Sequence, residues 1–209
     1  MVKEVQDGQL KTARRALAEA DPILARLMKQ VGAIDDTGRW TRTNLEALVS
    51  IIIGQQLSGK AAQTIFLRVR KLCDGAVSVG KLAALSDDSI RSAGISRPKL
   101  RTLRALQAAV ETGSLNLRRV SRMSDDDASE ALTAITGIGP WTAQIYLMFV
   151  LRRPDLFPSG DLGLQKAISE NYGIARDPVE MEKLAERWRP YRTYACWYLW
   201  RWLNTQIPG

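Results

Sequence analysis

Apolar residues recur every three or four positions through most of this 209-residue chain, the spacing that lines one face of a helix. No run of five or more residues alternates apolar and polar with β-branched enrichment, so strands are not expected. Asp21-Pro22 opens a helix to about Val31, where Gly32 can end it. Asn44 is the expected cap of the apolar run 45–53, which is continuous enough to be buried on most sides. Ser58 caps a helix reaching about Cys73, and residues 86–93 read as a short amphipathic helix stopped by Gly94. Ser96 starts another that runs to Thr112 before Gly113.

The next pattern is a hairpin of two helices, about residues 124–151. Ser124 with Asp127 resembles a capping box that uses Asp for Glu, and it begins the first helix. The turn lies within Leu132-Thr-Ala-Ile-Thr-Gly-Ile-Gly-Pro-Trp-Thr-Ala-Gln-Ile-Tyr146. Gly137 and Gly139 flank Ile138, so the turn reads as lacking a Cβ at its two tightest positions and can show consecutive N–H groups to a phosphate. Pro140 suits the first position of the second helix, whose dipole favours the same anion. A proline-punctuated connector, 152–160, follows. Asp161 then stands where the next helix begins, twenty residues after Trp141. Two more helices are expected at about 178–188 and 190–204, and no internal repeat or long linker interrupts a single unit.

Composition narrows the chemistry. Thirty Lys and Arg against 22 acidic residues leave a charge of +8, which points to a polyanionic partner. Cys73 and Cys196 are too few for a disulfide framework, a zinc site or an iron–sulfur cluster, and both read as buried hydrophobes. Histidine is absent, which removes Ser-His and Cys-His nucleophile pairs and leaves carboxylates, lysines and tyrosines for proton work. The first residues lack a signal-peptide apolar stretch and no membrane-length apolar run occurs, so an intracellular protein is expected, in cytoplasm or nucleoid of a prokaryote or the nucleus of a eukaryote.

Five blocks in order carry a family resemblance: Ile53-Gly-Gln-Gln-Leu-Ser-Gly-Lys-Ala-Ala62, Gly94-Ile-Ser-Arg-Pro-Lys99, the glycine hairpin, Phe157-Pro-Ser-Gly-Asp-Leu-Gly163, and Trp188-Arg-Pro-Tyr-Arg192 with Tyr198-Leu-Trp-Arg201. Together they resemble the helix-hairpin-helix DNA glycosylases, and within them the DNA-3-methyladenine glycosylase II branch. The resemblance implies an all-α fold of two helical subdomains, residues 1–43 with 155–209 and residues 44–154, with double-stranded DNA across the cleft between them. Residues 1–43 are too few for the β-rich domain that some relatives carry first. A monomer is expected.

By resemblance Asp161 is the catalytic carboxylate, although an Asp after Ser-Gly at a helix start also reads as a plain N-cap. Trp141 and Trp200 match the family's base pocket, where an indole face suits a cationic purine; core packing is the alternative for both. Trp188, Trp197 and Trp202 are read as structural. Gln56 matches the wedge that fills the gap left by a flipped base and Ser58 faces the minor groove, against a simple interhelical turn with Ser58 as cap. Gly137, Gly139 and Lys60 are the candidate phosphate contacts, whereas Arg97, Lys99, Arg101 and Arg104 read as a solvated helix face. In the family, hairpin carbonyls hold a monovalent cation, and the matching positions are Thr133, Ile135 and Ile138, for Na+ or K+. No other cofactor is implied.

The implied activity is hydrolysis of the N-glycosidic bond of alkylated purines, of the 3-methyladenine and 7-methylguanine type, in duplex DNA. Relatives that also nick the strand carry a Lys where this chain has Trp141, and an indole forms no Schiff base, so the enzyme is expected to be monofunctional and to leave an abasic site. The alternative is a non-catalytic helix-hairpin-helix DNA-binding protein, since hairpin and positive charge alone serve binding.

Overall fold

The computed structural model describes residues 2–34 and 43–206, with side chains from residue 8 onward. Among the described residues there are helices and no strands: α1 (Val2–Ala20), α2 (Pro22–Val31), α3 (Asn44–Gly54), α4 (Gly59–Leu72), α5 (Val79–Ala84), α6 (Asp87–Ser92), α7 (Arg97–Glu111), α8 (Leu117–Val120), α9 (Asp125–Thr133), α10 (Pro140–Phe149), α11 (Leu162–Tyr172), α12 (Pro178–Ala185), a 3-10 turn (Glu186–Trp188) and α13 (Arg192–Gln206). None is long and apolar enough to cross a membrane. The chain divides into two compact units, Met1–Arg39 with Arg153–Gly209, and Trp40–Arg152.

The unit of Trp40–Arg152 is built on α3. Ala47, Leu48, Val49, Ile51, Ile52 and Ile53 are all buried, and α3 packs against α4, α7 and α10. Its cap is Thr43, one residue earlier than the Asn44 expected: the Thr43 hydroxyl accepts from Glu46 N at 3.2 Å while the Glu46 carboxylate accepts from Thr43 N. A Thr-x-x-Glu box satisfies two helix-end donors at once, which makes Asn44 the first helical residue. Glu46 is buried, and its Oε1 also accepts from Val77 N and pairs with Arg70. Arg104 is consumed structurally, donating to the Leu82 and Leu85 carbonyls at 2.8 and 2.6 Å and closing the C-terminal end of α5.

In the unit of the two termini, α13 packs against α2 and α11, and α1 lies on α2 and α13. The expected helix at 178–188 divides into α12 and the 3-10 turn, and the expected start of the last helix at Pro190 moves to Arg192. Thr193 in the first turn of α13 explains the shift. Its N–H donates to the Pro154 carbonyl and its hydroxyl to the Arg153 carbonyl, so the helix start is spent on the connector. Arg192 binds the Asp155 carboxylate and carbonyl at 2.8 and 2.9 Å, which fixes the same segment.

Asp21 organises this unit. It is 1% exposed, caps α2 by accepting from Ile23 N and Leu24 N through Oδ1, and accepts from Tyr172 Oη and Trp188 Nε1 through Oδ2 at 2.9 and 2.8 Å. Burial first, then the Asp21 charge and hydrogen bond, pushes the Tyr172 hydroxyl well above the ordinary tyrosine range. A raised pKa means the folded state holds a proton the unfolded chain gives up. That contribution is therefore complete below about pH 10 and is lost as pH climbs above it. Tyr172→Phe is expected to cost about 1.5–3 kcal/mol at neutral pH, the scale for a hydrogen bond to a charged group. It should also flatten the alkaline fall in melting temperature above about pH 10. An unchanged alkaline slope would assign that fall to Tyr146 and Tyr198, whose hydroxyls burial also raises.

Candidate active site

The segment before Asp161 is held from several sides. Phe157 is buried edge-on against Trp188, the Ser159 carbonyl accepts from Gln165 Nε2 at 2.8 Å, and Asp161 N donates to the Pro158 carbonyl. Gln165 lies in the first turn of α11 and is buried, so the helix grips its own entry loop. Asp161 is the N-cap of α11 and stays partly exposed. Its Oδ1 accepts from Leu164 N at 2.8 Å and from Trp200 Nε1 at 2.9 Å. The cap and the indole bond are thus made together, which narrows the directions open to the carboxylate.

Gly163 makes that pairing possible. A Cβ there would sit 3.1 Å from Asp161 Oδ1, 3.4 Å from Leu203 Cδ2 and 3.5 Å from Trp200 Cδ1, so a larger residue crowds the indole off the carboxylate. Buried Cys196 is close enough for the Asp161 charge to add to the desolvation that pushes its thiol pKa up. Trp200 is half-buried, whereas Trp188 is 1% exposed and belongs to the core around Asp21. Trp197 stands edge-on to Tyr194 at 5.1 Å.

The hairpin belongs to the other unit. Ser124 caps α9 by accepting from Asp127 N, and its hydroxyl donates to the Asp127 carboxylate at 2.7 Å, where a full capping box would send that carboxylate to the cap N–H. After α9 the turn closes with Ile138 N donating to the Ile135 carbonyl at 2.9 Å, and both isoleucine side chains are buried. Gly137 has φ +87°, and a Cβ built there would overlap Thr102 Oγ1 on α7. Gly139 is different. Its φ is −91° and a Cβ would meet nothing within 4 Å, so only one of the two glycines stands at a tight position. Gly139 is the N-cap of α10 and offers no side-chain cap to it. Trp141, in the first turn of α10, is 36% exposed, far more than a core indole.

Gln56, Ser58 and Lys60 come together in the same unit, in and just after the turn between α3 and α4, and all are exposed. Gln56 takes φ +56°, and the Ser58 hydroxyl accepts from Ala61 N at 3.4 Å as the cap of α4. Sequence reasoning missed the groups that support these residues. Gln55 Nε2 donates to the Gly137 carbonyl at 3.2 Å and to Thr142 Oγ1 at 2.9 Å, and Lys99 Nζ donates to the Ile53 and Gln55 carbonyls, each at 2.7 Å.

Known proteins share this fold. The chain is 34% identical to a DNA-3-methyladenine glycosidase from Bacillus halodurans whose crystal structure superposes with a TM-score of 0.78, covering 91% of this chain and 88% of that one. The 3-methyladenine DNA glycosylase Mag1 of Schizosaccharomyces pombe, solved in complex with abasic DNA, is 27% identical with a TM-score of 0.83, covering 94% and 97%. The alkylbase DNA glycosidase-like protein mag2 of the same yeast is 28% identical over 202 residues, 94% of this chain and 95% of its own length. The model of the HhH-GPD superfamily base excision DNA repair proteins matches residues 49–190, across both the hairpin and Asp161, and the chain belongs to that superfamily.

Proposed function

We propose that the protein is a monofunctional DNA glycosylase that releases alkylated purines from duplex DNA in base-excision repair. The observation that carries the reading is the Asp161 carboxylate, fixed by the Leu164 N–H and the Trp200 indole at a helix start. When the bond from C1′ to the base nitrogen breaks, its electron pair leaves with the base and positive charge develops on the deoxyribose. A fixed carboxylate stabilises that charge, water adds to C1′, and a proton is lost. A purine alkylated at N3 or N7 is already cationic, so it departs as a neutral molecule without a general acid. A chain without histidine is sufficient for this chemistry.

The other residues have roles in the same reading. Trp200, hydrogen-bonded to Asp161, supplies an indole face for a flipped cationic base, offsetting part of the few kcal/mol that extrusion costs. Gln56 fills the vacated stack, Ser58 faces the minor groove, and Lys60 with the N–H groups at Gly137 and Gly139 takes the backbone phosphates. The hairpin also fits a monovalent cation. Thr133 ends α9, where helix carbonyls lack a helical donor and the dipole is negative, and the Ile135 carbonyl keeps a second lone pair beside its bond from Ile138 N. With the Ile138 carbonyl these are neutral, hard oxygen donors suited to Na+ or K+, and a bound ion would add positive charge for a phosphate. Mag1 has been captured with abasic DNA, the product this reaction leaves.

Incubating methylated duplex DNA with the protein and separating the released bases by chromatography tests the reading. Free 3-methyladenine and 7-methylguanine, intact strands until alkali treatment, and no covalent complex after borohydride are expected. Salt-dependent binding with no base released favours the non-catalytic DNA-binding alternative. A borohydride-trapped complex would replace hydrolysis by a lyase mechanism.

A further inference from the structure

Lys99 sits in the first turn of α7, where its charge opposes the helix dipole, a placement with a small local cost. Its head group serves another element. Nζ donates at 2.7 Å to both the Ile53 and Gln55 carbonyls at the C-terminal end of α3, where a cation is favoured. Desolvation lowers the Lys99 pKa, so the ammonium is partly withdrawn from water while it makes these bonds. The residue immediately after Gln55 is Gln56, held at φ +56°. A left-handed conformation is unfavourable for a non-glycine residue and persists only where flanking groups determine it.

Gln55 binds in a second direction as well. Its amide donates to the Gly137 carbonyl and the Thr142 hydroxyl, joining the α3–α4 turn to the turn and the second helix of the glycine hairpin. One turn along α7 from Lys99, Thr102 packs against Gly137 so closely that a Cβ there would overlap it. Helix α7 therefore touches the wedge turn and the hairpin at once, and Gln55 links the two directly. We propose that Lys99 is a positioning residue for DNA engagement: with Gln55 it locks the turn carrying Gln56 to the glycine hairpin, so that gap filling and phosphate grip are set in one register. This rests on the reading of Gln56 as the wedge.

The test compares affinity for a duplex carrying a tetrahydrofuran abasic analogue with affinity for the intact duplex, together with the fluorescence of 2-aminopurine placed opposite the gap. Gln56→Ala is expected to lower the preference for the gapped duplex about tenfold. Lys99→Met, which keeps the stem and removes the donors, is expected to lower it by a similar factor and to lose the 2-aminopurine change, at the cost of charged hydrogen bonds. The double variant should be no worse than either single one, because both remove the same event. Lys99→Arg should recover most of the preference. A merely structural lysine would lower affinity for both duplexes together and leave their ratio unchanged.

If Gln56→Ala leaves the ratio at the wild-type value, the wedge reading fails and takes the proposal with it. If Gln56→Ala acts while Lys99→Met leaves the ratio intact, or if their losses multiply, the wedge stands and the proposal is overturned. Should Lys99→Met not fold, Gln55→Met removes only the amide arm of the same tie and is held to the same expected pattern.

Discussion

Asp161→Asn is expected to fold, bind damaged DNA and lose about 10²-fold or more in single-turnover base release. The substitution separates the cap that the structure shows from the catalytic role proposed for the same side chain. As an N-cap, Asn ranks with Asp, and an amide oxygen at the position of Oδ1 still accepts from Leu164 N and Trp200 Nε1. Stability should therefore change by less than about 0.5 kcal/mol. What the amide removes is the charge. Opposite unit charges about 4 Å apart in an effective dielectric of about 20 attract by about 4 kcal/mol, enough for about 10³ in rate, and an amide dipole retains only a fraction of it. Asp161→Ala is expected to behave differently, losing about 1 kcal/mol of capping and leaving the Trp200 indole without this acceptor, so that its melting temperature also falls. Base release by the Asn variant at the wild-type rate would reduce Asp161 to a cap.

Much of the fold was legible because helix starts are chemical as well as periodic. Asp21, Ser58, Ser86, Ser124 and Asp161 all cap as their side-chain type suggests. Thr43 was missed because Asn44 beside it is an equally good capping type, and only Glu46 three residues on distinguishes the two. Three helices had too little pattern. Among the described side chains of α1 only Ala13 and Leu17 are fully buried, a narrow apolar stripe on a charged helix, while α5 and α8 span six and four residues.

The candidate site divides along a similar line. Asp161 and the hairpin glycines stand in local motifs and can be read from them. The Trp200 to Asp161 bond joins residues 39 apart, and nothing in the spacing of aromatics on α13 announces it. Lys99 was grouped with a solvated basic face because the acceptors it serves are backbone carbonyls, which every residue has and no sequence pattern marks. Two signals were available: a lysine at the unfavourable end of a helix, and a glycine two residues beyond the aspartate.

Substitution of the two hairpin glycines is expected to weaken DNA binding in both cases but to cost stability mainly in one. Gly137→Ala meets two penalties, a positive φ that costs an L-residue about 1–2 kcal/mol and a Cβ that overlaps Thr102 Oγ1 and lies 2.9 Å from Thr102 Cβ. Together with displacement of a buried threonine, the loss should reach about 3 kcal/mol or more, read as a lower denaturant midpoint, with DNA affinity falling because the turn itself moves. Gly139→Ala adds a Cβ to open space at an ordinary φ, so it should cost no more than about 1 kcal/mol, the difference between glycine and alanine at an N-cap. Its expected defect is in binding. If a phosphate approaches the helix start at Gly139, the new methyl group stands in its path, and affinity should fall with a shallower dependence on salt, as for a lost phosphate contact. Full DNA affinity in a stably folded Gly139→Ala variant would move the phosphate site away from the hairpin and leave Gly137 with a purely conformational role.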